Sequence, residues 1–231
     1  MISGSGRGIK TPVIVLNEKA YVESVGKKGV GLAQICEEVA AQHNVSIAIC
    51  PQQVELAKIA SQVQIPCFAQ HVDPVEPGSQ TGFVTLESVK EAGAVGSLVN
   101  HSEHRLKIAD IDFIVSRAAS LNLLTIVCTN NIAVSKAIAE LKPYAIAVEP
   151  PELIGTGRAV SKVDPAIVED TVKEVKRIAK HCVVLCGAGV TNGEDVRAAI
   201  ELGADGVLLA SGVVKAKDQR AALVDLVSGL E

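Results

Sequence analysis

Tryptophan is absent from this 231-residue sequence, and the remaining aromatic residues are Tyr21, Tyr144, Phe68, Phe83 and Phe113. Surfaces that stack bases or sugars are built from such rings, so this supply argues against a nucleic-acid or glycan platform. Excess positive charge is missing too. Lys and Arg total 22 against 26 Asp plus Glu, a formal net charge of -4, whereas a nucleic-acid partner would require a basic stripe. No apolar run reaches membrane-spanning length without a polar residue or glycine interrupting it. The opening residues Met1 to Gly8 lack the basic cluster and apolar stretch of a secretory signal, and residues 1–8 read as a flexible leader or cloning scar. The cysteines are Cys36, Cys50, Cys67, Cys128, Cys182 and Cys186. No second pair or histidine cluster completes a zinc pattern around Cys182 and Cys186. Most lie in or beside apolar runs, as reduced thiols do when they serve as small core residues of a cytoplasmic protein.

What is present is apolar substance: 48% hydrophobic and 21% charged residues, enough to bury a sizeable core. Eight short apolar runs recur along the chain: Val13–Leu16, Val45–Ile49, Cys67–Ala69, Val95–Val99, Leu123–Cys128, Ala145–Val148, Val183–Leu185 and Gly206–Leu209. Between them lie segments with apolar residues three and four apart, at 27–41, 88–92, 105–119, 132–140, 165–179, 194–202 and 218–226. In the fifth of these, Val168, Val172, Val175 and Ile178 form a stripe, with Glu169, Lys173 and Lys176 on the wet side. Continuous apolar strands imply burial on both faces, as in a parallel sheet covered by helices. Eight such units without polar or shortened edge strands predict closure. The expected fold is α/β: a single-domain (β/α)8 barrel occupying residues 9–231, with no internal linker.

A barrel of this kind builds its active site at the carboxyl ends of the strands. The residues just past each run therefore carry the functional information. Asn17 and Lys19 come after the first, Gln70-His71 after the third, Asn100-His101-Ser102-Glu103 after the fourth and Glu149-Pro150-Pro151 after the sixth. Gly187-Ala188-Gly189 comes after the seventh and Ala210-Ser211-Gly212 after the eighth. Singly, each is an ordinary surface or capping residue. Together they place an acid, a base, a cation and two glycine turns on one rim. Asn17 and Lys19, two apart, both face the mouth, while Glu18 points away. His101 precedes what reads as a helix start at Ser102. The glycine turns let backbone N–H groups approach an anion, which fits a phosphorylated small ligand. His71 and His104 suggest no chemistry.

This set resembles the triosephosphate isomerases in their short archaeal form. The carriers are Asn17-x-Lys19, Ala69-Gln70-His71, Gly78-x-x-Thr81-Gly82, Asn100-His101-Ser102-Glu103, Glu149 to Gly157 and Cys186-Gly187-Ala188-Gly189, running from about Val13 to the C-terminus. The resemblance implies a TIM barrel that interconverts dihydroxyacetone phosphate and D-glyceraldehyde 3-phosphate through an enediolate, in glycolysis and gluconeogenesis. It implies Glu149 as the base and His101 as a neutral donor kept so by a helix N-terminus, a tuning for which this family is itself the standard example. Lys19 would supply positive charge, Asn17 would position substrate, and Glu103 would contact Lys19. Ile154, Gly155, Gly189, Ala210 and Ser211 would hold the phosphate with Asn17 and Lys19. Pro150, Pro151, Glu152, Leu153, Ile154, Gly155, Thr156 and Gly157 would form a lid that excludes water. No metal and no cofactor are implied. The segment 73–82 resembles the loop that enters a neighbouring subunit, implying a homodimer or homotetramer. Glu18 stands where the family usually carries an apolar or aromatic residue, which bears on packing.

Two other functions fit parts of the pattern. A class I aldolase on the same barrel needs a desolvated Schiff-base lysine, for which Lys19 is the strand-end candidate. A phosphate-ligand sensor would need the glycine turns but has no use for Lys19, His101 and Glu149 together.

Overall fold

The structure is a computed structural model that describes residues 9–150, 159 and 163–230. The expected runs form eight parallel strands: β1 (Val13–Asn17), β2 (Ser46–Cys50), β3 (Phe68–Ala69), β4 (Gly96–Val99), β5 (Leu124–Thr129), β6 (Ala145–Val148), β7 (Val183–Cys186) and β8 (Gly206–Leu209). Their order is β2-β1-β8-β7-β6-β5-β4-β3. A parallel bridge between Ile49 and Cys67 joins the two ends, so the sheet closes on itself. The fold is the expected (β/α)8 barrel.

Alternation along each strand separates two cores. Val13, Val15, Phe68, Leu98, Ile126, Ala147, Leu185 and Leu208 fill the interior. Their neighbours in sequence, among them Ile14, Leu16, Ile49, Val127 and Val184, face the surrounding helices. Those helices are α1 (Lys27–His43), α2 (Gln53–Ala60), α3 (Leu86–Glu91), α4 (Ile108–Ser120), α5 (Ile132–Ala139), α6 (Pro165–Ile178), α7 (Gly193–Glu201), α8 (Ser211–Val214) and α9 (Gln219–Ser228). Side-chain caps fix several starts: Thr85, Asn131, Asn192 and Asp218 each accept an N–H three residues on. The α6 stripe buries Val168 and Val175 completely. Lys176 on its wetter side reaches Asp205 at 2.7 Å. Among the described residues no helix is long and apolar enough to cross a membrane.

Helix α2 lies where no helical segment was expected, and helix α4 starts later than expected. Helix α2 carries no extended apolar stripe, since Leu56 and Ile59 alone are buried while Val54 is 84% exposed. Helix α4 begins at Ile108 and not at 105. Asn100 captures the intervening chain: its Oδ1 accepts from Leu106 N at 2.9 Å, and its carbonyl accepts from Arg105 Nη1 at 2.8 Å. Residues 1–8, expected as a leader or scar, and most of the expected lid, Pro151 to Gly157, lie outside the described residues.

Candidate active site

One cleft opens at the carboxyl ends of the strands. It is lined by Asn17, Lys19, His101, Glu149 and Gly187 together with Gly189, Ala210 and Ser211. The two sequence clusters, acid–base and glycine turn, therefore share one cleft. Ile154 and Gly155, expected at the phosphate, fall outside the described residues, as do Pro151, Glu152, Leu153, Thr156 and Gly157.

Glu149 is 2% exposed, in extended chain just past β6. Its N–H donates to Thr129 O at 2.7 Å, which locks the main chain. Oε2 has no hydrogen-bond partner among the described residues. Burial pushes its pKa up to about 7, opposed by the Cys128 thiol and by the charges of Lys19 and Arg105. A carboxyl in that state exchanges a proton readily near neutrality.

His101 faces it, with Nε2 3.6 Å from Glu149 Oε1. Nδ1 accepts the N–H of Glu103 at 3.2 Å. A nitrogen that accepts carries no proton, so in the neutral ring the hydrogen sits on Nε2 and points into the cleft. Burial first, and the Lys19 charge next, lower the pKa of His101 to about 4. The expected cause was a helix N-terminus. The structure corrects it, because residues 102–104 form a turn and α4 starts seven residues after His101. Desolvation keeps the ring neutral instead.

Lys19 adopts φ +48°, a left-handed conformation that costs a β-carbon-bearing residue energy unless its surroundings hold it. They do. Asn17 Oδ1 accepts from Lys19 N at 2.9 Å, and Gln70 Nε2 donates to Lys19 O at 3.0 Å and to Cys50 O at 2.9 Å. Nζ meets Glu103 Oε1 at 2.8 Å, the contact expected between these two residues. Asn100, also left-handed at φ +60°, ties β4 to β5 through Cys128 O at 2.9 Å and so sets the residue before His101.

In the same cleft Gly189 has φ +73° and turns the chain toward α7. The turn is braced by Asp195, whose carboxylate accepts from Thr191 N at 2.9 Å and Thr191 Oγ1 at 3.0 Å. Gly187 is glycine for another reason: a Cβ there would stand 2.6 Å from Glu149 Cγ. Gln70 and Gly187 were expected on the rim but given no role of their own, and Cys128 was not expected there at all. A strand-end glutamine does not show from sequence which carbonyls it will bridge, a thiol at a strand end is too common to single out, and a close approach leaves no mark.

The neighbours of the site are ordered as well. His71 and His104 stack at 3.7 Å between ring centroids, and His71 Nε2 lies 3.2 Å from Asp73 Oδ1. They border a second hollow of about 520 Å³ beside the cleft, shared with Asn17, Lys19, Gln70 and Glu103. Glu18 does face away from the mouth, but it is fully buried beneath the helix layer. Among the described residues no group of His, Cys, Asp and Glu is placed to hold a metal ion.

Known proteins are similar to this chain over nearly its whole length. The family model described as triosephosphate isomerase matches residues 12–229. A triosephosphate isomerase of Methanocaldococcus jannaschii is 53% identical over 215 residues, 93% of this chain and 98% of the relative. One of Methanobrevibacter smithii is 50% identical over 222 residues, 96% of this chain and 100% of the relative. One of Methanopyrus kandleri is 49% identical over 225 residues, 96% of this chain and 100% of the relative.

Proposed function

The chain belongs to the triosephosphate isomerase family, and from that premise we infer how its rim divides the work of the reaction. The enzyme interconverts dihydroxyacetone phosphate and D-glyceraldehyde 3-phosphate. Glu149 removes the proton from one carbon and returns it to the next, passing through an enediolate. His101 Nε2–H donates to the oxygens of that enediolate. A neutral imidazole suits this step, because it can give a hydrogen bond without trapping the intermediate as a protonated enediol. The Lys19 ammonium offsets the developing oxyanion and the phosphate, and Asn17 positions both. Gly189, Ala210 and Ser211 receive the phosphate through backbone N–H groups. The segment Pro150 to Gly157 takes the part of a lid on its composition. The observation that supports this reading most is the pairing of the buried carboxyl of Glu149 with His101 Nε2 at 3.6 Å in a cleft that also holds Gly189, Ala210 and Ser211.

An aldolase would need Lys19 as an uncharged nucleophile. Its Nζ is instead engaged by Glu103 Oε1 at 2.8 Å. A coupled assay with glyceraldehyde 3-phosphate tests the isomerase, and borohydride trapping of a covalent adduct with dihydroxyacetone phosphate would support the aldolase.

The enzyme works as a homodimer or homotetramer in this reading. The loop from Asp73 is pinched at its base, where Asp73 N donates to Val84 O at 2.8 Å and Val84 N donates to Asp73 Oδ2 at 2.7 Å. Residues 76–83 stand exposed beyond it, and Val22, Val25, Val54 and Phe83 offer apolar surface. The second hollow is the place for a partner's loop. Sedimentation showing a fully active monomer would refute this. The six cysteines are all buried and none is in a disulfide, which supports a cytoplasmic setting.

A further inference from the structure

Glu18 has no part in the chemistry above, yet it sits between Asn17 and Lys19. Its side chain is 0% exposed, and neither carboxyl oxygen has a hydrogen-bond partner among the described residues. The titratable groups that face it are Glu55 of α2, Cys36 of α1, Cys50 at the end of β2 and Cys67 ahead of β3. All are acids or thiols, so none brings compensating charge. A carboxylate left bare in such a place is among the costliest things a protein can bury, and the group answers by holding its proton. Burial first, then the Glu55 carboxylate, push its pKa up to about 8.

The main chain at Glu18 is tied into the turn that presents Lys19. Glu18 N donates to Cys50 O at 3.1 Å, and Ser24 Oγ donates to Glu18 O at 3.2 Å. The same Cys50 carbonyl accepts from Gln70, which also holds Lys19 O. Glu55 in turn accepts from Gly26 N at 3.0 Å, closing the loop that begins at Glu18. The side chain of residue 18 therefore plugs the turn into the layer between α1 and α2, while the backbone on either side aims Asn17 and Lys19 at the cleft.

We propose that Glu18 is a positioning residue for Lys19, acting as a neutral carboxylic acid that seats the Asn17–Lys19 turn and unseats it when the proton leaves. An ionised Glu18 has to find water, and it can do so only by leaving its place beneath α1 and α2. The turn is three residues long and held in a strained conformation, so it moves with the side chain. Lys19 then loses its bearing on the cleft and on Glu103. The inference rests on the isomerase reading and adds to it an alkaline limit set by a group that never touches substrate.

The experiment is a pH profile from about 6.5 to 9.5 for wild type, Glu18→Gln and Glu18→Leu, with kcat and KM resolved. Wild type should lose roughly tenfold in kcat/KM per pH unit above about 8, the slope of one proton. Both variants should hold their neutral-pH rate across that range. In parallel, the 13C signal of the Glu18 side-chain carboxyl in wild type should titrate near 8, with the Lys19 amide signal moving along the same curve. An alkaline limb that survives in a folded variant overturns the proposal. So does a Glu18 signal that titrates in the ordinary carboxylate range, or a Lys19 amide that ignores the titration. Those two wild-type measurements decide the matter even if neither variant folds. Wild type without isomerase activity at neutral pH would sink the isomerase reading instead, a separate result.

Discussion

Replacing Gly187 with alanine probes the placement of Glu149 without touching its chemistry. The new methyl would lie 2.6 Å from Glu149 Cγ, 3.3 Å from its Oε1 and 3.2 Å from the carbonyl oxygen of Val148. Carbon atoms rest about 3.5–4.0 Å apart, so something has to retreat by roughly 1 Å. The carbonyl of Val148 cannot yield easily, because it accepts Gly187 N at 3.0 Å and belongs to the barrel ladder. The Glu149 side chain is the movable party, and it is the one whose position relative to the substrate carbon sets the rate. A misplacement of about 1 Å at a reacting group costs on the order of 10²-fold, or about 2.7 kcal/mol of barrier. The atoms nearest the methyl belong to Glu149 and Val148 and not to the phosphate turn, so KM should change by less than about threefold. Coupled kinetics at saturating substrate give kcat, and circular dichroism with a thermal scan establishes that the variant is folded. A folded Gly187→Ala enzyme with kcat close to wild type would refute the reasoning, since the position of Glu149 would then not govern turnover.

Five further outcomes are expected. Lys19→Met should fold normally and lose at least ~10² in kcat, because one preorganised charge at the oxyanion is gone; near-native turnover would break its assignment. Glu149→Gln should bind a phosphate-bearing inhibitor about as wild type does, yet cease to exchange solvent deuterium into dihydroxyacetone phosphate, an amide having the shape but not the basicity. Gly189→Asp should raise KM far more than it lowers kcat, since its carboxylate would repel the phosphate. The base acts ionised and its pKa is raised to about 7, so kcat/KM should rise with pH through that value. The Cys128 thiol lowers that pKa, so Cys128→Ala should shift the limb to higher pH, and an unmoved limb would show that the thiol does not tune the base.

The repeating architecture was legible because its signal is long-range: eight apolar runs, most of them separated by helix-length amphipathic segments, leave few alternatives to a closed barrel. The strand ends named Asn17, Lys19, His101 and Glu149 for the same reason, since parallel strands put all their carboxyl ends on one rim. Details resting on single contacts did not show. Helix α2 is invisible to pattern because eight residues with two buried apolar positions carry no periodicity to read. The early start expected for α4 came from Ser102-Glu103, a pattern that also suits a turn, and the Asn100 bonds decide between them only in three dimensions. Glu18 is the instructive case. Alternation says that it faces away from Asn17 and Lys19, but away from the mouth means toward α1 and α2, not toward water. A two-residue period gives the direction of a side chain and nothing about what covers it.

The seam of the barrel lies between β2 and β3, where the Ile49–Cys67 bridge and the bond from Ile49 N to Pro66 O at 2.9 Å stand in for a full ladder. Above that seam the amide of Gln70 reaches across from the β3 side to Cys50 O and Lys19 O. A side chain thus supplies at the mouth the stitches that the main chain omits. Local opening of a native protein starts where backbone pairing is sparsest. Amides along this seam should therefore exchange with deuterated solvent sooner than those of β5 and β6, which pair over four consecutive positions. Each such opening parts Lys19 from Gln70, so barrel closure and the aim of that lysine are one cooperative event, and mutations that loosen the seam will register first as lost turnover rather than as lost fold.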